Sequence, residues 1–176
     1  MLKEVGFVIN RYDPCVANMI IQGKQATIAW HVDDCKVSHK DPEVVTSILS
    51  KNQDRFRELS ITRGKSHTFV GMDLFFQVDG SVRIEAKQYI RESIRDFGED
   101  FSNNAITPAG NDLFEVKDEG NLLPEDKSQI FHSIIGKLIF LTKRTRPDIT
   151  LAVSFLCTRV TKSTHEDWNK LKRLLR

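Results

Sequence analysis

Two adjacent carboxylates follow an apolar run near the start of the chain. Residues 26–32 are Ala-Thr-Ile-Ala-Trp-His-Val, Asp33 and Asp34 come next, and residues 35–39 alternate as a second strand does. The pattern predicts a β-hairpin with both acids at its tight bend. Carboxylates presented together at one point suit a hard divalent cation, although Asp is also common in ordinary Asx-type turns.

Histidine and cysteine residues around the two acids have side chains of the kind that bind zinc. His31, Cys35 and His39 recur every four residues. Their spacing crosses the expected bend, a fourth ligand is not evident, and hard carboxylates lie between them. The sequence therefore does not predict a zinc site.

The first half of the chain is predicted to position these acids on an antiparallel sheet with a covering helix. Strands are expected over residues 5–9, 16–21, 26–32 and 35–39. Residues 41–43, Asp-Pro-Glu, form a typical helix start before apolar residues at helical spacing. Residues 68–78 and 82–86 are expected to pair around a two-residue turn at Asp79-Gly80.

The second half is predicted to be helical, so that the fold class is α+β. Helices are expected over residues 87–97 and 131–143, after the Arg-Pro-Asp break at 146–148, and after a capping box in residues 163–166. Gly98 is expected to end the first of these helices. The polar residues 99–127 are expected to form a long surface loop, which suggests a mobile or functional linker.

Bulk composition limits the function classes that fit. The 176-residue chain has a net charge of only +2, so nucleic acid would have to be bound by local basic patches. The three widely spaced cysteines do not form a secreted disulfide framework, which indicates an intracellular setting, and no signal peptide or membrane-spanning apolar run is evident. Both ends fall abruptly within expected elements, so we expect a fragment of a longer polyprotein.

Several segments match one known family in order and at suitable spacing. Residues 30–34, Trp-His-Val-Asp-Asp, have the form aromatic-x-Asp-Asp, and residues 69–74 are Phe-Val-Gly-Met-Asp-Leu. Further matching segments are residues 6–8, 13–16, 88–98, 107–108, 135–141, 145–149 and 168–176. Together they resemble the reverse transcriptases of the Ty1/copia retrotransposon class. The resemblance implies that residues 1–86 are the C-terminal part of the palm and that residues 87–176 are a helical thumb and connection region.

The resemblance implies an RNA-directed DNA polymerase with a site for two Mg²⁺ ions. In this class of reaction one ion activates the primer 3′-hydroxyl and the other neutralises the triphosphate. Asp33 and Asp34 are implied to be catalytic metal ligands, with Asp33 the principal one. The site would be completed by a carboxylate on an earlier strand, which this chain does not contain.

Other residues are implied to contact the substrates. His31, where the family commonly has Tyr, would lie beside the primer terminus, and Gly71 and Met72 would form the tip of a hairpin that steadies the primer. Lys65, in a basic group with Arg63 and His67, would approach the triphosphate. A bulged strand and a solvated basic face are the ordinary structural interpretations of these two groups.

The implied partners are an RNA template, a DNA primer, dNTPs and the rest of the polyprotein, with integrase upstream and RNase H downstream. The expected location is intracellular, in the cytoplasm within a virus-like particle or in the nucleus, and not in a membrane. Because the fingers and the first catalytic Asp are missing, we expect the isolated chain not to polymerise.

Two basic clusters in the second half are further candidates for phosphate contacts. One lies at the helix junction over residues 143–146 and the other in the last helix over residues 170–176. Contacts of this kind would depend on salt and not on base sequence. Solubilising helix surfaces are the alternative interpretation, and Trp168 in the last helix is expected to be a core residue.

Two different functions remain open at the level of sequence. The first is a phosphoacceptor receiver-like signalling domain, in which paired acids at a strand end bind magnesium and a later Asp, here Asp79, is phosphorylated. That fold requires parallel βαβ units, so strand direction distinguishes it. The second is a non-catalytic relic that only binds nucleic acid.

Overall fold

The structure is a computed structural model that describes residues 2–56, 59–101, 103–116 and 121–176. The chain forms two compact units, Met1–Arg83 and Ile84–Arg176, which are treated separately below. The described elements are β1 (Val8–Ile9), β2 (Val16–Ile21), β3 (Lys24–His31), β4 (Asp34–Ser38), α1 (Pro42–Phe56), β5 (Ser66–Phe69), β6 (Met72–Phe76), β7 (Val82–Glu85), α2 (Lys87–Phe97), α3 (Glu125–Thr142), a 3-10 turn (Pro147–Ile149), α4 (Thr150–Cys157) and α5 (His165–Leu175).

The first unit is built on a four-stranded antiparallel sheet with strand order β1-β2-β3-β4. Alternate residues of the strands face a small core, because successive side chains of a strand point to opposite faces. Ala17 lies opposite Ile28, and Ile28 lies opposite Val37. The buried core consists of Phe7, Ala17, Ala26, Ile28, Val44 and Ile48.

Helix α1 contributes Val44 and Ile48 to this core. The predicted helix start is confirmed, because the Asp41 carboxylate accepts a hydrogen bond from the backbone N–H of Glu43 at 2.9 Å. This bond satisfies one of the amide groups that a helix leaves unpaired at its first turn. The helix therefore begins where the Asp-Pro-Glu sequence predicts.

Strand β1 is shorter than predicted and contains only Val8 and Ile9. Residues 2–7 instead form a turn, in which the Phe7 amide donates to the Leu2 carbonyl at 2.9 Å. Gly6 has a φ of 95°, a conformation that interrupts an extended strand and that glycine adopts without steric cost.

The prediction of one strand over residues 68–78 was wrong. β5 and β6 are separate antiparallel strands joined by a turn at Val70-Gly71, and β7 completes a three-stranded sheet with the order β5-β6-β7. Val70 and Gly71 both have positive φ, which turns the chain back after Phe69. The expected two-residue turn at Asp79-Gly80 is also longer, since β6 ends at Phe76 and β7 begins at Val82.

The second unit is helical around one apolar core. α3 contributes Phe131, Ile134, Ile135, Leu138 and Leu141, all almost fully buried. Helices α2, α4 and α5 add the remaining helical core residues, which are Phe97, Val153, Leu156, Trp168 and Leu171. The predicted end of α2 is confirmed, since Gly98 has a φ of 74° and its amide donates to the Arg95 carbonyl.

Two boundaries in the second unit differ from the prediction. α3 begins at Glu125 and not at residue 131, because Pro124 can precede a helix and the acids Glu125 and Asp126 favour its first turn. The capping box of α5 is formed by Thr164 and Asp167, one residue later than predicted. Among the described residues, none of the helices is long and apolar enough to cross a membrane.

Candidate functional site

The hairpin that carries the two acids turns one residue earlier than predicted. His31 lies opposite Asp34, so Val32 and Asp33 form the turn and Asp34 is the first residue of β4. The cause is the register of the buried face, where Val37 lies opposite Ile28. A turn at Asp33-Asp34 would move the polar His39 to that position, and a buried face selects against such a slip.

The two acids consequently have different surroundings. Asp33 is exposed in the turn, and within the part of the chain that the structure describes its side chain makes no hydrogen bond or ion pair. Asp34 is also exposed, but its Oδ2 accepts a hydrogen bond from the backbone N–H of Val70 at 3.4 Å. One acid is free for an external ligand, whereas the other contacts the β5–β6 hairpin.

The turn of the β5–β6 hairpin lies beside the β3–β4 hairpin. Phe69 lies opposite Met72, so Val70 and Gly71 form the turn and Met72 begins β6 as a half-buried strand residue. Gly71 therefore lies in the turn, as expected, whereas Met72 lies in the strand that follows, and contact of either residue with a primer stays a prediction. The contact between Asp34 and Val70 brings His31, Asp33 and Gly71 to one end of the unit.

Lys65 lies away from this end. Its backbone carbonyl accepts a hydrogen bond from the Phe76 amide at 2.8 Å, which places it at the base of the β5–β6 hairpin. Five residues at about 3.3 Å each separate it from the tip, a distance of roughly 16 Å. The other two basic residues of the group have partners of their own. Arg63 donates to the Thr46 hydroxyl, and the His67 ring contacts the Gly64 carbonyl. The structure does not bring this basic group to the two acids.

Two residues that the sequence did not single out join β4 to the β5–β6 hairpin. Val70 provides the amide that Asp34 binds, and Lys36 lies with its Nζ 5.7 Å from the centre of the Phe76 ring. Lys36 follows Asp34 by two positions and therefore lies on the same face of β4. That alternation was visible in the sequence, but the contact of β4 with the β5–β6 hairpin was not.

The predicted Mg²⁺ site would be completed by a carboxylate on an earlier strand, which this chain does not contain. No group of three or more His, Cys, Asp or Glu side chains suitable for a metal ion occurs in the ranges that the structure describes. Mg²⁺ requires an octahedral set of oxygen ligands, and Asp33 offers one free carboxylate at the turn. The two-ion site, which needs that further carboxylate, therefore stays a prediction.

The three residues with zinc-like spacing do not converge. His31 pairs with Asp34 and Cys35 pairs with Trp30 at the next position of the ladder, so the His31 and Cys35 side chains point to opposite faces of the sheet. The His39 ring instead contacts backbone groups, with its Nε2 3.2 Å from the Ile21 carbonyl and its Nδ1 3.0 Å from the Asp41 amide. His39 thus links the end of β4 to β2 and to the start of α1.

The basic cluster of α5 is engaged within its own unit. Lys170 donates to the Glu115 carbonyl, Arg173 to the Thr107 hydroxyl and Arg176 to the Asn103 carbonyl, while Lys172 pairs with Glu99. These four side chains attach described parts of residues 99–116 to the helix. The predicted long loop is therefore attached to α5 at four points.

The basic cluster at residues 143–146 has similar internal partners. Arg146 forms a two-pronged pair with Asp148, and its guanidinium holds the pKa of that carboxyl below its usual range. Arg144 lies over the Phe140 ring with 3.8 Å between the guanidinium carbon and the ring centre. These contacts stabilise the junction between α3 and α4.

Each unit also has a cavity that lies away from the two acids. In the first unit a cavity of about 800 Å³ lies between the inner face of the sheet and α1, and its lining includes Met19, Ile28 and Val44. In the second unit a cavity of about 330 Å³ lies beside α5, and its lining includes Asp112 and Arg173. Neither is lined by His31, Asp33, Asp34, Gly71 or Met72.

Comparison with known proteins gives a partial similarity. A 46-residue stretch is 50% identical to an uncharacterized mitochondrial protein, AtMg00810, of Arabidopsis thaliana. The match covers 26% of this chain and 19% of that protein. No family model matches the chain. No solved structure matches it.

Proposed function

We propose that this chain is part of a reverse transcriptase of the Ty1/copia class, with residues 1–86 in the palm and residues 87–176 in the thumb and connection region. The observation that carries the proposal is the meeting of two hairpin tips. The turn with the free Asp33 carboxylate lies beside the Val70-Gly71 turn, through the contact between Asp34 and Val70. A polymerase requires elements of this kind to lie side by side, because it must hold a primer end next to the acids that bind its metal ions.

The proposal assigns Asp33 to the metal-binding edge and His31 and Gly71 to the primer end. His31 lies on the same face as Asp34, and its ring can stack or form hydrogen bonds beside a nucleotide. Gly71, with a φ of 70° and no side chain, allows a close approach of backbone to a primer. The partners proposed are an RNA template, a DNA primer, dNTPs and neighbouring parts of a polyprotein that supply the missing carboxylate.

Primer extension tests this proposal. The chain would be joined to the fingers and first palm segment of a Ty1/copia-type reverse transcriptase and assayed with an RNA template, a DNA primer, dNTPs and Mg²⁺. We expect extension that Asp33→Asn lowers by about a hundredfold or more, because a ligand to the reacting groups is lost. The matched control Asp79→Asn, which changes an exposed acid in the loop before β7, should leave the rate within about twofold.

The chain without added segments provides the second arm of the test. We expect no Asp33-dependent extension, since the fingers and the first catalytic Asp of the family are not present in this chain. If the joined protein extends primers equally well after the Asp33→Asn substitution, or does not extend them at all while it binds template-primer, the polymerase proposal is wrong for this chain. Binding without extension would instead support the nucleic-acid-binding relic.

The receiver-like alternative does not agree with the fold. Across the turn after His31 the strands β3 and β4 are antiparallel, and β5 and β6 are antiparallel as well. A receiver requires parallel strands joined by helices. Asp79 lies in an exposed loop, where hydrogen bonds from the Ser81 hydroxyl and amide keep the pKa of its carboxyl below the usual range. These bonds describe an Asx-type turn.

A further inference from the structure

The amide of Val70 has no ladder partner within its own hairpin. In the β5–β6 ladder Phe69 lies opposite Met72, so the two turn residues between them are not ladder partners. An amide at such a position is satisfied by water or by another part of the protein. Here it donates to Oδ2 of Asp34, which is 36 residues away in sequence.

A second contact joins the same two elements further along β4. Lys36, two positions after Asp34 and on the same face, lies over the ring of Phe76 at the far end of β6. Alternate residues of one face of β4 therefore reach the β5–β6 hairpin at its turn and near its base. The contact at Asp34 thus belongs to a run of interactions between β4 and this hairpin.

We infer that Asp34 is a positioning residue, which holds the Val70-Gly71 turn beside Asp33. The two neighbouring acids have different contacts. Asp34 accepts a hydrogen bond from a backbone amide, and Asp33 is exposed and available to a ligand. The conclusion that this contact helps to place a primer rests on the proposed function. The contact between Asp34 and Val70 is independent of that function. The inference departs from the sequence-based expectation that both acids are metal ligands.

Amide hydrogen exchange and chemical shifts, measured by NMR on the full chain, test the inference. Asp34→Ala should move the Val70 amide signal and speed its exchange by about twofold, because an exposed hydrogen bond of 3.4 Å is removed. Asp34→Asn, which retains an acceptor oxygen, should restore part of the protection. Asp33→Ala removes the same charge one residue away and should leave the Val70 amide as it is in the unchanged protein.

The controls separate a local effect from a loss of folding. The amides of α3, which belongs to the other compact unit, should retain their protection in every variant. The inference is overturned if Asp34→Ala leaves the Val70 amide unchanged, or if Asp33→Ala changes it as much as Asp34→Ala does. Both results can be obtained even if the chain has no polymerase activity.

Kinetics of the joined protein described above connect the contact to primer placement. Asp34→Ala should raise the KM for template-primer more than it lowers kcat, with partial recovery in Asp34→Asn, whereas Asp33→Asn should lower kcat. Equal loss of kcat in the Asp33 and Asp34 variants, with KM unchanged, would assign Asp34 to the metal site and contradict a positioning role.

Discussion

Val32 and Val70 adopt the same uncommon backbone conformation in the two hairpin turns. Their φ angles are 51° and 50°, in the left-handed region that β-branched residues rarely occupy. Glycine or asparagine is the usual residue at such a position. The two turns that approach the candidate site therefore both contain backbone strain of about 1–3 kcal/mol.

Replacement of Val32 by glycine should relieve this strain. Val32 is 85% exposed, so little packing is lost, and we expect Val32→Gly to raise the free energy of unfolding by up to about 1 kcal/mol. Urea denaturation would measure the change. Val78→Gly is the control, because Val78 is 91% exposed and has no positive φ. An equal loss of stability in both variants would show that the conformation of Val32 is not strained.

Glu99 contacts two side chains of α5. Its carboxylate accepts a hydrogen bond from the Trp168 indole at 2.6 Å and pairs with Lys172. The hydrogen bond from Lys172, and then that from Trp168, lower the pKa of Glu99. This residue therefore connects the end of α2 to α5.

The lowered pKa of Glu99 predicts a pH-dependent contribution to stability. The contribution is present above the unfolded-state pKa of about 4.3 and is lost as pH falls through the lower pKa of the folded state. Glu99→Gln should lower the free energy of unfolding by about 0.5–1 kcal/mol at pH 7, and the difference should shrink below about pH 4. Asp100→Asn, an exposed neighbour, should change little. Urea denaturation at pH 7 and below about pH 4 measures the effect. A difference in the free energy of unfolding that is the same at both pH values would contradict the prediction.

At the scale of elements, the start of α5 is stabilised by a capping box of Thr164 and Asp167. Thr164 accepts a hydrogen bond from the Asp167 amide, and the Asp167 carboxylate accepts from the Thr164 amide and hydroxyl at 2.9 Å. Arg159 also donates to this carboxylate, at 3.3 Å. Thr164 and Asp167 are both buried, so water cannot readily replace these partners.

Loss of the Thr164 hydroxyl should destabilise the second unit. Thr164→Ala removes the cap and leaves a buried amide and carboxylate less well satisfied, so we expect a loss of about 1–2 kcal/mol. Thr161→Ala, at an exposed position before the helix, should stay within about 0.5 kcal/mol of the unchanged protein. Thermal and urea denaturation followed by circular dichroism would compare the two. Similar losses in both variants would argue against the capping contribution.

The contacts of the last basic cluster attach the segment of residues 99–116 to helix α5. Three cations of α5, together with Arg176 directly after it, bind oxygen atoms between residues 99 and 116, and three of the acceptors are uncharged. A phosphate group would have to compete with these internal partners. The contacts thus favour a structural use of this basic cluster over the phosphate-binding interpretation.

At the scale of the whole molecule, each compact unit has its own buried cluster of apolar residues. The cluster of the second unit includes Phe97, Phe131, Leu138, Leu156 and Leu171, and all of them lie between Ile84 and Arg176. A chain segment of this size with its own core is able to fold alone. The first unit has fewer buried core residues.

The segment of residues 84–176 should therefore fold when it is produced alone. We expect a helical circular dichroism spectrum and a cooperative urea transition with an m value of about 1 kcal/mol per molar urea or more. Leu156→Ala, in the centre of its core, should lower the midpoint strongly, whereas the exposed Leu151→Ala should not. A gradual, non-cooperative transition would show that the unit needs the rest of the chain.

Local patterns in the sequence were sufficient for most of the individual elements. Asp41 before Pro42 predicted the start of α1, Gly98 predicted the end of α2, and the helical spacing around Trp168 predicted its burial, all of which the structure confirms. These features depend on neighbours within one or two turns of the chain, so the sequence contains the needed information.

Other features were decided by tertiary structure, because they depend on residues far apart in the chain. The division of Asp33 and Asp34 between turn and strand follows from the register of Ile28 with Val37, and the role of Asp34 follows from an amide 36 residues away. The sequence by itself determined that two acids end a strand and that hairpins and helices follow in order. Only the tertiary structure decided which acid stays free: the register of β3 with β4 puts Asp33 in the turn and Asp34 in the strand, and the β5–β6 hairpin supplies the amide that Asp34 binds.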